Sequence, residues 1–255
     1  MGKVEEYIKE GIASKGGLLF ALIDPVDYKS ARDATLAGIQ SAEGGADIVL
    51  IGGSMGAQGE LLDSVTKGIK EKASVPVVLF PGNISTVTKY ADALYFMSLL
   101  NSRNPYWISQ AQMLAAPTVK RLGIEALPVG YIVVEPGGTV GFVGDVNLIP
   151  RERPQVAAAF ALSAQLSGFR FVLTDSGSNP KNGHIPLDMV SAVAKSITIP
   201  YIVGGGVRTP AEAAAVISAG AGAVQVGTAI ESGGDVKKKV SELARAVHEA
   251  GRKKA

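Results

Sequence analysis

The chain has 255 residues, no cysteine, 31 glycines, 13 prolines, 47% hydrophobic residues and a formal net charge of only +2. The absence of cysteine excludes a disulfide framework and a thiolate nucleophile. The dispersed, nearly balanced charge argues against a nucleic-acid partner, and no apolar run approaches the ~18 residues of a bilayer span. The first ten residues are charged and amphipathic, so no secretory leader is expected and the expected location is the cytoplasm.

The first apolar run, Leu18–Ile23, ends at Asp24-Pro25 and precedes a helical pattern over Ala31–Glu43. A second run, Ile48–Ile51, opens into Gly52-Gly53-Ser54 and is followed by a helix over Glu60–Ala73. Later runs at Val77–Phe80, Ala93–Met97, Ala126–Val134, Phe171–Leu173, Tyr201–Val203 and Ala223–Val226 complete a set of eight. Short β-branched runs bounded by turn residues read as buried parallel strands. Alanine-rich helical stretches alternate with the later ones: Ile108–Leu122, Pro154–Ser167, Leu187–Ser196, Pro210–Ala219 and Asp235–Ala250. Strict alternation implies a parallel sheet, and the length suits the roughly 250 residues of one (β/α)8 barrel, so residues 1–255 are expected to form a single TIM-barrel domain. Thr209-Pro210-Ala-Glu212 carries the marks of a helix start: an N-cap threonine, proline at the first helical position and an acid in the first turn. The basic residues of the tail, Lys237 to Lys239 and Arg252 to Lys254, read as a solvated helix end.

One crossover breaks the rhythm. Only the twelve residues Pro81–Asp92 join the third and fourth strands, and a full crossover helix barely fits in them. Either the third helix is missing, leaving a groove down the barrel flank, or a short helix occupies Thr86–Ala91. Leu99, Tyr106 and Trp107 are the candidates to line such a groove.

In a barrel of this kind chemistry sits at the C-terminal ends of the strands, and phosphate binds at the loops after strands seven and eight. Gly204-Gly205-Gly206 and Gly227-Thr228 stand at those ends, where backbone N–H groups can converge on an anion. No lysine ends a strand, which argues against a Schiff-base aldolase, and no histidine pair suggests zinc. Asp24, Glu135 and Asp175 remain as candidates for acid, base or hard-metal ligand, and oxygen donors favour Mg²⁺.

Leu22-Ile-Asp-Pro25, Ile51-Gly-Gly-Ser54, Phe80-Pro-Gly-Asn83, Phe96-Met-Ser-Leu-Leu-Asn-Ser102, Gly130-Tyr-Ile-Val-Val-Glu-Pro136, Val203-Gly-Gly-Gly-Val-Arg208 and Val226-Gly-Thr228 occur in this order over nearly the whole chain. Together they resemble the archaeal geranylgeranylglyceryl phosphate synthases. The resemblance implies a prenyl transfer in membrane lipid biosynthesis. The 3-hydroxyl of sn-glycerol 1-phosphate attacks C1 of geranylgeranyl diphosphate and diphosphate leaves. It further implies Mg²⁺ at Asp24 and Ser54. The acceptor phosphate is expected at Gly205, Gly206, Gly227 and Thr228, beside the strand-six stretch Val172, Leu173, Thr174, Asp175, Ser176, Gly177 and Ser178.

There is one departure from the family pattern. The family shows Tyr-Leu-Glu-Ala-Gly-Ser-Gly after strand six, its glutamate taking the proton of the attacking hydroxyl. Here Thr174 stands where that glutamate is expected, and Asp175 lies one position on. Asp175 is expected to supply the carboxylate.

Two rival readings use the same barrel: a phosphosugar isomerase of the histidine or tryptophan pathways, with Asp24 as acid or base, and a non-catalytic phosphate-binding barrel. Apolar faces on the alanine-rich helices suggest a homo-oligomer, and a lipid product suggests peripheral membrane contact.

Overall fold

A computed structural model describes residues 2–53, 57–231 and 234–254. Eight parallel strands close into a barrel in chain order, β1 (Leu18–Ile23), β2 (Ile48–Gly53), β3 (Val77–Pro81), β4 (Ala93–Leu99), β5 (Glu125–Val133), β6 (Phe171–Asp175), β7 (Tyr201–Gly204) and β8 (Ala223–Val226). The ring is sealed where Phe20 of β1 pairs with Gln225 of β8. The helices are α1 (Lys3–Lys15), α2 (Ala31–Glu43), α3 (Gly59–Lys70), α4 (Ala111–Leu122), α5 (Gly138–Val143), α6 (Pro154–Leu166), α7 (Leu187–Ser196), α8 (Pro210–Ser218), α9 (Thr228–Glu231) and α10 (Val236–Lys254).

Alternate residues along each strand face opposite sides of the sheet, so the barrel has two cores. Leu18 and Phe20, Ile48 and Leu50, Leu127 and Val129, and Phe171 and Leu173 fill the interior. Their neighbours Leu19 and Ala21, Val49 and Ile51, and Val172 and Val203 pack outward beneath the helices. Full burial of each large aliphatic or aromatic side chain contributes roughly 1.5–3 kcal/mol, which makes the doubly buried sheet the main source of stability.

Helix α1 closes the bottom of the barrel, with Val4 and Ile8 joining the interior core. Its exposed backbone donors are satisfied by Glu125, whose carboxylate accepts from the amides of Val4 at 2.8 Å and Glu5 at 2.9 Å. Beside it, buried Asp47 accepts from the Leu19 amide at 2.8 Å and pairs with Lys15 and His248, tying α1, β1 and α10 together. At α8 the expected start is complete: Thr209 accepts from Glu212 N–H while the Glu212 carboxylate accepts from the Thr209 amide, a reciprocal capping box.

No helix lies between β3 and β4, so of the two possibilities for that crossover the missing helix is the one found. The two strands pair at only Val78 with Ala93 and Leu79 with Leu94, whereas β4 and β5 pair from Ala93 with Glu125 through to Leu99 with Tyr131. The outer ring is therefore open at this point. The helix expected from Ile108 begins as a wider π turn, Tyr106–Gln110, before α4 proper. Side chains take carbonyls of that turn, Ser98 donating to Ile108 C=O and Gln112 to Trp107 C=O, and Gln112 also donates to Met97 C=O on β4.

Candidate active site

At the mouth of the barrel a single cleft runs from the glycine turns after β7 and β8, past Asp24 and Asp175, into the gap left by the missing helix. With its open mouth counted, it spans about 1550 Å³. The two ends differ in character. One is built of backbone and hydroxyls; the other is a trough walled by Val87, Phe96, Trp107, Ala111 and Ala115.

The polar end holds most of the expected phosphate site. Gly177, Ser178, Gly205, Gly206, Gly227 and Thr228 all line it. Gly205 and Gly206 have φ of 78° and 76°, a left-handed pair that glycine adopts without strain. A Cβ on Gly205 would stand 2.5 Å from an Asp175 oxygen and 2.8 Å from Ser176 Oγ. Only glycine fits there. Ser176 Oγ itself is fully buried and has no hydrogen-bond partner among the described residues. Arg208 joins the two loops, its guanidinium donating to Asn179 Oδ1 at 2.8 Å and to Pro180 C=O at 2.9 Å.

The pleat puts the two strand-six candidates on opposite faces of the sheet. Thr174 points outward and bonds Tyr201 Oη at 2.7 Å beneath the helices, while Asp175 points inward and lines the cleft. Asp175 accepts from Tyr131 O–H at 3.1 Å and from Gly177 N–H at 2.7 Å. Burial raises its pKa above the ordinary carboxylate value, and these two donors offset only part of that. The expected substrate stretch must be corrected at its start. Val172 and Thr174 face the helices and Leu173 fills the barrel interior, so none of the three lines the cleft. Glu135 also stays out of the cleft, as does His184, whose ring nitrogen bonds Ile185 C=O at 2.6 Å. Of the groove candidates, Leu99 and Trp107 line it, whereas Tyr106 packs edge-on behind Trp107 with ring centroids 4.9 Å apart.

Across the mouth, Asp24 caps a one-turn 3₁₀ helix, Pro25–Asp27, by accepting from Val26 N–H at 3.3 Å. Gly53 at the end of β2 makes room for it: φ is 144° there, and any Cβ would collide with the Asp24 carboxylate. Ser54, the other expected metal ligand, lies outside the described residues. Two groups that the sequence did not single out, Asp27 and Glu231, share the mouth. Glu231 follows Thr228 by three residues, so α9 turns its carboxylate back toward Gly227, the one signal that could have flagged it. Burial, then Asp27, raise the pKa of Asp24 to about 6, and burial, Asp27 and Asp24 raise that of Glu231 to about 7. The half-buried carboxylates thus repel one another. Tyr28, whose hydroxyl is buried without a partner among the described residues, feels the same negative field, which adds to burial in pushing its pKa up.

Fold and site together define a TIM barrel whose mouth joins a glycine-rich polar end to an apolar trough. The sequence profile of the PcrB family matches residues 18–247. Geranylgeranylglyceryl phosphate synthases from Thermococcus kodakarensis and Pyrococcus abyssi are each 48% identical to this chain. The first alignment covers 97% of this chain and 98% of the relative, the second 96% and 98%. The (S)-3-O-geranylgeranylglyceryl phosphate synthase of Thermoplasma acidophilum, solved with sn-glycerol-1-phosphate, superposes with a TM-score of 0.91 at 34% identity, covering 98% of this chain and 99% of that one. The chain belongs to the PcrB family, alongside these geranylgeranylglyceryl phosphate synthases.

Proposed function

We propose that this protein joins sn-glycerol 1-phosphate to geranylgeranyl diphosphate through an ether bond, with release of diphosphate, as a step in membrane lipid synthesis. The observation that carries the reading is the continuous cleft with a glycine cup at one end, an apolar trough at the other and Asp175 beside the cup. The acceptor's phosphate sits against the Gly205-Gly206 and Gly227-Thr228 backbone, with Ser176 to Ser178 facing it. Its 3-hydroxyl then reaches Asp175, which accepts the proton as the oxygen bonds to C1 of the prenyl chain. Tyr131 and Gly177 hold that carboxylate in place, and its burial makes it more basic than a free aspartate, as a general base requires. The C20 tail lies along the trough past Phe96 and Trp107, away from water.

The mouth also fits Mg²⁺. Among the described residues no three acidic or histidine side chains come close enough to enclose a metal. Mg²⁺ is often held by one or two carboxylates with waters and substrate phosphates completing its shell. Asp24 would hold it, with Asp27 and Glu231 as the further carboxylates of the mouth, and their crowded negative charge is of the kind a cation relieves. When bound, the ion neutralises the leaving diphosphate as a Lewis acid.

The relatives' names and the trough both favour this reading over a phosphosugar isomerase, which has no use for an apolar channel. A purely binding role leaves Asp175 and its two donors without a purpose. Among the described residues no helix is long and apolar enough to cross a membrane. Exposed apolar side chains on α4 to α6, including Met113, Leu114, Phe142 and Leu166, offer surface for a second copy or for lipid contact. The test is Mg²⁺-dependent release of diphosphate from geranylgeranyl diphosphate with sn-glycerol 1-phosphate and, separately, sn-glycerol 3-phosphate. Release with the first and much less with the second is expected; release with neither overturns the reading.

A further inference from the structure

We propose that Gln225 is a specificity-determining residue whose amide oxygen accepts a hydrogen bond from the secondary hydroxyl of the acceptor. It thereby reads the configuration at that carbon. The inference rests on the acceptor being a glycerol phosphate and adds a residue to its recognition.

The register of the sheet puts Gln225 where this is possible. Phe20, Gln225, Gly204 and Asp175 are consecutive partners across β1, β8, β7 and β6, so their side positions share one level of the barrel and one face. Gly204 has no side chain, and the space a Cβ would occupy lies 3.2 Å from an Asp175 oxygen. Nothing therefore stands on the strand between the Gln225 amide and the Asp175 carboxylate. Gln225 is only 4% exposed, lines the cleft, and its Oε1 has no hydrogen-bond partner among the described residues. A buried amide oxygen without a donor is costly, and an apolar Leu or Met of similar size would spare the fold that cost. The position makes sense if a ligand supplies the donor.

The acceptor has the right groups to supply it. Apart from its phosphate it carries two hydroxyls, and the floor of the cleft offers two acceptors side by side, Asp175 and Gln225. With phosphate fixed in the glycine cup and the reacting hydroxyl at Asp175, the remaining hydroxyl points to opposite sides in the two mirror-image forms of glycerol phosphate. A single acceptor on one side suits only one of them.

The experiment measures kcat/KM for sn-glycerol 1-phosphate, for sn-glycerol 3-phosphate and for propane-1,3-diol monophosphate, which lacks the secondary hydroxyl. Wild type, Gln225→Leu and Gln225→Met are compared. In the wild type, loss of that hydroxyl is expected to lower kcat/KM at least roughly 10-fold, and in both variants by less than about 3-fold. Discrimination between the two mirror forms is expected to shrink in parallel. Both variants are expected to melt at or above the wild-type temperature, since each removes an unpaired acceptor. Variants that keep the full dependence on the secondary hydroxyl overturn the inference, and so do variants that melt well below wild type. A wild type that uses propane-1,3-diol monophosphate as well as sn-glycerol 1-phosphate overturns it while leaving prenyl transfer intact. A wild type that prenylates none of the three overturns the functional reading and this inference with it.

Discussion

Tyr131 on β5 donates a hydrogen bond to Oδ2 of Asp175 on β6 at 3.1 Å, both side chains being buried at the floor of the barrel mouth. Phe80 packs edge-on against the Tyr131 ring at 5.8 Å between centroids, so the phenol has little freedom to turn away. Asp175→Asn keeps the shape but removes the base. It is expected to lower kcat on the order of 10²–10⁴-fold with Mg²⁺ and glycerol phosphate affinity retained, measured by steady-state kinetics and calorimetry. Tyr131→Phe removes a donor that lowers the Asp175 pKa. The carboxyl then ionises at higher pH, and the acid limb of the kcat/KM profile is expected to move upward.

The carboxylates at the mouth make metal binding and stability depend on pH in a fixed direction. Burial and neighbouring carboxylates push Asp24 up to about 6 and Glu231 up to about 7, from ordinary values of 3.8 and 4.5. The metal-free fold therefore binds more protons than the unfolded chain across that window, and its stability falls as pH rises through it. A cation needs the deprotonated forms. Mg²⁺ is thus expected to raise the melting temperature more at pH 8 than at pH 5, and Asp24→Asn is expected to abolish most of that difference. Melting curves with and without Mg²⁺ check this without any substrate; an equal Mg²⁺ effect at both pH values contradicts it.

The trough should respond to its own walls. Ala111 and Ala115 lie on the α4 side of the gap, and Trp107 stands on the π turn that opens it. Ala115→Phe is expected to cut kcat/KM for the C20 diphosphate at least roughly tenfold while sparing a C10 substrate, because overpacking costs about 1–3 kcal/mol where the chain must pass. Comparing the two diphosphates at fixed glycerol phosphate gives the answer. Tyr106 faces away from the trough, so substitutions there are expected to act only through Trp107.

Stability has a separate anchor at the bottom of the barrel. Burial raises the pKa of Asp47, but hydrogen bonds from His248, Lys15 and the Leu19 amide outweigh it and hold the carboxyl below its usual value. Such a group stabilises the fold above its unfolded pKa, and that contribution is lost as pH falls through the lower folded value. Asp47→Asn removes a buried carboxylate whose partners Lys15 and His248 are themselves partly exposed, and is expected to cost about 2 kcal/mol, a fall in melting temperature of about 4–8 °C for a chain of this size. Calorimetry near neutral pH measures it, and catalysis at 25 °C should be unaffected because the site lies at the opposite end.

Much of this was legible in the residues. Leu18–Ile23 and Ala223–Val226 were bounded correctly because both faces of a parallel strand are buried and turn residues close them. The shortened crossover could be counted from Pro81 to Asp92, and the Thr209 cap could be read from its spacing. Other features come from tertiary placement. Whether Thr174 or Asp175 faces the cleft depends on how far β6 continues, and a run scored by hydrophobicity stops at Leu173 while the hydrogen-bonded strand extends to Asp175. Asp24 and Glu231 meet only because β1 and β8 are neighbours in a closed ring. The brief α5 and the π turn before α4 have no periodic signature long enough to be read.

The most direct test of prenyl transfer follows the acceptor's oxygen. sn-Glycerol 1-phosphate carrying ¹⁸O in its 3-hydroxyl is incubated with geranylgeranyl diphosphate, Mg²⁺ and the enzyme, and the lipid product and diphosphate are weighed by mass spectrometry. Attack by that hydroxyl at C1 predicts an ether product that retains the label and a diphosphate that is unlabelled. An incubation that yields no labelled ether contradicts the account.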